Sequence, residues 1–124
     1  MSVKPSLALA LLLSAVFGLC GCGKKPFSTD SLSAKTFEAG DPETKEAWNT
    51  VLSAVKQNDY AAAILTMQQL RTNADLSAEQ IGTMSNTDIA VRERMNLAAR
   101  KGDPAAQKAI EDLRKAYLES RGKR

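Results

Sequence analysis

Histidine is absent from this chain of 124 residues, cysteine occurs only twice, and aromatic residues make up 5%. Without histidine there is no imidazole for acid–base catalysis, for a Ser-His or Cys-His nucleophile pair, or for most zinc sites. The two cysteines, Cys20 and Cys22, stand one residue apart near the N-terminus, which leaves neither a disulfide framework nor a thiol-enzyme arrangement. Charge of neither sign dominates. Charged residues are 25% and the net charge is +3, which excludes a highly charged disordered tail and a strongly basic nucleic-acid binder. Also missing are a Gly-rich phosphate loop, a GxSxG elbow and any metal-ligand spacing. No Val/Ile/Thr-rich alternating run marks a strand. The expectation is an all-α protein that is not an enzyme and has no catalytic residue, metal or cofactor.

What is present begins with a short segment carrying Lys4, followed by an apolar block from Leu7 to Leu19. Its thirteen residues fall short of the roughly 20 that span a bilayer as a helix. They fit the hydrophobic core of a signal peptide, about 7–15 residues long. An Ala-x-Ala-like cleavage site is missing, and Leu19-Cys20-Gly21-Cys22 stands in its place. This run resembles a bacterial lipobox, in which an aliphatic residue at −3 and Gly or Ala at −1 precede the lipidated cysteine. Cys22 matches with Leu19 at −3 and Gly21 at −1, whereas Cys20 would have Leu19 itself at −1. The resemblance implies cleavage between Gly21 and Cys22, a diacylglyceryl thioether on Cys22, and acylation of the new amine, with palmitate-type chains as the membrane anchor. Two or three such chains hold durably, at about 0.8 kcal/mol per buried methylene. Gly23 in place of the inner-membrane retention signal Asp points to the outer membrane, facing the periplasm.

Residues 22–40 read as the lipidated cysteine and a tether, rich in Ser, Thr, Gly and Pro and without an apolar period. As a flexible coil it would span on the order of 20–25 Å. Lys24 and Lys25 would lie beside the headgroups. Phe27, Leu32 and Phe37 recur every five residues, as docking contacts for the domain or as loosely ordered side chains.

Helix grammar appears from Asp41 onward, and residues 41–120 are expected to form the folded domain. Asp41-Pro42 supplies an N-cap and a proline at the first helical position. Trp48, Val51, Leu52 and Val55 follow on one face, to about Gln57. After Asn58-Asp59, Tyr60, Ile64, Met67 and Leu70 line a second helix, which Thr72–Asp75 ends. Ser77 and Gln80 form a capping box for a third, with Leu76 and Ile81 placed as a hydrophobic staple. Its stripe is Ile81, Met84, Val91, Met95 and Ala98. Ser85–Asp88 interrupts it with poor helix formers; the reading is one long helix, bent there or straight, with two shorter helices as the alternative. Gly102 closes it, and Asp103-Pro104 opens a fourth helix whose buried face is Ala106, Ile110, Leu113 and Tyr117, ending near Ser120. Residues 121–124 form a basic tail.

The segment from Lys56 to Ala62 echoes that from Arg100 to Ala106 at a spacing of 44. Two helix–turn–helix units with small residues after each turn resemble tetratricopeptide-like repeats, although the family's period of 34 and its Gly-Tyr signature are missing. Convergent αα-hairpin grammar accounts for the same echo. Either way the architecture is a small bundle of about four helices, built as two stacked αα-hairpins.

Asp41, Glu43 and Glu46 cluster at a helix start, where the helix dipole favours carboxylates. Trp48 and Tyr60 flank the first turn and are candidates either for packing the hairpin or for stacking on a partner. Arg121, Lys123 and Arg124 complement a helix C-terminus or contact an anionic surface. The function expected is a membrane-anchored bacterial lipoprotein that presents a helical protein-interaction module in the cell envelope, with no nucleic-acid partner. The alternative is a structural envelope lipoprotein whose basic end contacts peptidoglycan or another anionic surface.

Overall fold

A computed structural model describes residues 33–123. The lipobox with Cys20, Gly21 and Cys22, the apolar block, Lys24, Lys25, Phe27, Leu32 and Arg124 lie outside the described residues. Among those described there are five helices: α1 (Ser33–Glu38), α2 (Pro42–Lys56), α3 (Tyr60–Asn73), α4 (Ala78–Arg100) and α5 (Pro104–Gly122). The protein is all-α, and the four helices read from the caps are all present.

Each boundary has a local cause. The Asp41 carboxylate accepts the Thr44 N–H at 3.2 Å, and Pro42 occupies the first turn, where its missing N–H costs nothing. The Asp59 carboxylate accepts the Ala62 N–H, and Asp103 accepts those of Ala105 and Ala106. At the start of α4 the capping box is complete. The Ser77 hydroxyl accepts the Gln80 N–H, and Gln80 Oε1 accepts the Ser77 N–H at 2.9 Å.

The two hairpin turns are built alike. After α2, the Asp59 N–H donates to the Ala54 carbonyl and the Asn58 N–H to Val55; after α4, Asp103 donates to Ala98 and Gly102 to Ala99. Both are Schellman turns, with the left-handed position taken by Asn58 (φ 57°) in one and Gly102 (φ 89°) in the other. The echo in the sequence is therefore an echo in backbone geometry.

Helices α2 and α3 pair as one hairpin and α4 and α5 as another, and α3 lies against α4 and α5 to join them. The core is Trp48, Val51 and Val55 from α2, Tyr60, Ile64, Met67 and Leu70 from α3, Met84, Val91 and Met95 from α4, and Ala106 and Ala109 from α5. Burying a large apolar side chain contributes about 1.5–3 kcal/mol, so this cluster is the main source of stability. Leu52 is only half-buried at its edge.

Three expectations need correction, and one is borne out. The segment Ser33–Gly40 is not free tether: Ser33–Glu38 is a helix packed against α2 and α4. Its apolar anchor is Phe37, 1% exposed, whose ring stacks on Trp48 with centroids 4.3 Å apart. The reading of one long helix is borne out, since α4 is continuous through Ser85–Asp88, where the side chains of Ser85, Thr87 and Asp88 have partners. Thr87 donates to the Thr83 carbonyl, Ser85 accepts from Arg71, and Asp88 pairs with Arg92. Ile81 is 45% exposed rather than in the core. The inward place is taken by Gln80, whose Nε2 donates to the Thr36 carbonyl of α1. On α5, Ile110 and Tyr117 are exposed, and the buried residues are Ala106 and Ala109. The helix continues to Gly122, past the expected end near Ser120.

Candidate functional site

The candidate interaction residues fall into two groups with opposite burial. Trp48 is 0% exposed, held between the Phe37 ring and the α2–α3 core, and Tyr60 is likewise buried at the start of α3. Neither presents a surface to a partner. Of the two readings of these residues, packing of the hairpin is the one borne out and stacking on a partner is not: both side chains are buried, and Phe37 of α1 stacks on the indole. Arg121 and Lys123 are exposed at the end of α5, and Arg124 lies outside the described residues.

Around the exposed cations the surface is partly apolar. Tyr117 and Leu118 are 60% and 59% exposed, and Ile110 is also exposed one helix turn before Arg114. The Arg121 guanidinium lies 5.8 Å from the centroid of the Tyr117 ring, which fixes the ring beside the charge. Neither Arg114 nor Arg121 is in an ion pair among the described residues. The α2–α3 turn and the first turn of α3 face α5 around Ala105, Lys108, Ala109 and Asp112, and beyond Ala109 no residue of α5 is fully buried.

Two grooves mark the surface. One, of about 340 Å³, lies between the start of α2 and the end of α3, with Asp41, Glu43 and Asp75 at its rim and Leu70 and Ala74 at its floor. Its carboxylates serve the helix start: Asp41 caps α2 and Glu43 sits in its first turn. The other, of about 300 Å³, lies between the α2–α3 turn and α5, where Asp59, Lys108 and Asp112 converge. The hydrogen bond from Lys108 to Asp112, one turn along α5, holds the ammonium above the ordinary lysine range, with attraction to the same carboxylate adding to it. No group of three or more His, Cys, Asp or Glu side chains that could hold a metal ion occurs among the described residues. No helix among them is long and apolar enough to cross a membrane.

Comparison with known protein families, curated proteins and solved structures finds no match.

The docking of Phe37 and the exposure of Tyr117 and Leu118 escape a reading by period alone. For Phe37 the available signal is the spacing of Phe27, Leu32 and Phe37. For α5 it is the alanine content, since Ala106 and Ala109 permit a close approach that leaves the bulkier Ile110 outside.

Proposed function

We propose that this protein is a bacterial lipoprotein, made with a signal peptide over residues 1–21, acylated on Cys22 and held in the cell envelope by that lipid. The observation that carries the reading is Leu19-Cys20-Gly21-Cys22, placed directly after an apolar block too short to span a bilayer. The residues after it support the same reading, since polar sequence with two lysines leads within eleven positions to the first helix. The anchored object is a small helical interaction module, not an enzyme. Its two hairpins, joined by equivalent turns, are the basis for the tetratricopeptide-like part of the proposal. The membrane is the outer membrane and the module faces the periplasm, on the strength of Gly23.

Substituting Cys22→Ala in the full chain tests this. Labelling cells with a fatty-acid analogue should mark the native protein and leave the variant as an unlabelled precursor of higher mass. Label retained on the variant would transfer the site to Cys20, and no label on the native protein would overturn the anchor.

A further inference from the structure

We infer that the C-terminal half of α5 is a second membrane contact, which lays its arginines on anionic lipid headgroups of the same membrane that holds the anchor. This rests on the lipoprotein reading for the anchor and on the structure for the contact. At 100° per residue, Ile110, Arg114, Tyr117, Leu118 and Arg121 fall within a stripe roughly 100° wide along one side of α5. All five are exposed. No carboxylate lies inside the stripe. Glu111 borders it beside Leu118, and Asp112 and Glu119 lie on the other side of the helix. Apolar and aromatic side chains interleaved with arginines are what an interfacial helix offers, with the rings and aliphatic groups at headgroup level and the guanidinium groups on phosphate.

The bland account is that cations complement a helix C-terminus. It covers Arg121, in the last turn, but not Arg114, two turns earlier, because the dipole effect fades beyond the final turn. A second copy of this chain leaves the charge uncompensated: an antiparallel pairing of two such stripes that sets Tyr117 against Leu118 brings Arg114 of one against Arg121 of the other, and no register supplies a carboxylate from within the stripe.

Topology places the stripe correctly for a contact with the anchoring membrane. Helix α1 is fixed to the first two turns of α4, where Gln80 donates to the Thr36 carbonyl and Thr83 and Thr36 hydroxyls meet at 3.5 Å. The turn at Lys101–Asp103 folds α5 back along α4, so its C-terminal end lies at the end of the bundle where α4 begins. The chain arriving from Cys22 and the basic end of α5 therefore share one end of the molecule. Cys22 is eleven positions before Ser33, a reach of at most about 36–40 Å. Headgroups are within that reach, and each Lys or Arg near an anionic surface strengthens the contact about fivefold.

The test uses the full chain, purified from membranes and placed in vesicles of either neutral phosphatidylcholine or phosphatidylcholine with about one third phosphatidylglycerol. Leu118→Cys carries an environment-sensitive dye, and Leu97→Cys, exposed near the opposite end of the bundle, carries it as the control. The unsubstituted chain, labelled in parallel, accounts for dye on Cys20 or Cys22. The expected result is blue-shifted, brighter emission at position 118 on the anionic vesicles only, with position 97 unchanged. The shift should be lost in 0.5 M salt and in Arg114→Gln/Arg121→Gln. Aqueous emission at 118 on both vesicles, or equal shifts at 118 and 97, would overturn the contact. The mass of the N-terminal peptide in the same sample reports the lipid separately. A missing anchor would defeat the lipoprotein reading, while the emission at 118 still decides the stripe.

Discussion

Phe37 and Trp48 form the aromatic pair that closes the bundle, and each is buried completely enough for truncation to leave a cavity. Trp48→Ala should cost about 3–5 kcal/mol, and Phe37→Ala a similar amount. Because the rings stack, the double variant should lose less than the sum, with a coupling of about 0.5–1.5 kcal/mol beyond area burial. Denaturant unfolding of the four proteins measures it. Additive losses would mean that the rings pack independently. Gly102 is a separate matter of backbone. At φ 89° a side chain is strained, yet a Cβ there would meet nothing within 4 Å. Gly102→Ala should therefore cost about 1–2 kcal/mol from backbone strain alone, and a loss near zero in thermal or denaturant unfolding would refute that.

At the scale of elements, the caps were the most legible part of the sequence, because each is a local side-chain-to-backbone bond. Asp41, Asp59, Ser77 and Asp103 all cap the helices they precede. The inward faces of α2 and α3 were legible for the same reason that periodicity works, since both helices are flanked by neighbours along most of their length. The end of α5 was not. Its period continues through Ile110, Leu113 and Tyr117, yet beyond Ala109 no residue of α5 is fully buried, and a period cannot report how closely a neighbour covers it. Helix α1 was hidden for the opposite reason: six residues carry too little pattern, and its order comes from tertiary contacts at Phe37, Thr36 and Gln80. Removing it is informative. A chain beginning at Gly40 should keep its helical circular dichroism but unfold at lower denaturant than one beginning at Ser31, by about 3–5 kcal/mol, the cost of deleting a buried Phe. Equal midpoints would show that α1 does not stabilise the bundle.

For the whole molecule, two hairpins with equivalent Schellman turns stack through α3, and a short N-terminal helix seals the side between α2 and α4. This arrangement puts the first helix only eleven positions after Cys22, the residue proposed to carry the lipid. In the candidate site the sequence pattern alone marked Cys22 and the C-terminal cations, whereas burial settled Trp48 and Tyr60 as core and left Tyr117 and Leu118 on the surface. The distinction is physical. The lipidation proposed for Cys22 is read from a linear motif, but a surface exists only after the helices have covered one another. The anchor is the central claim, and the intact mass of the protein extracted from membranes tests it most directly. The account predicts a chain that begins at Cys22 and carries a diacylglyceryl thioether on that residue. A chain that still begins at Met1, or one cleaved elsewhere with an unmodified Cys22, would contradict it.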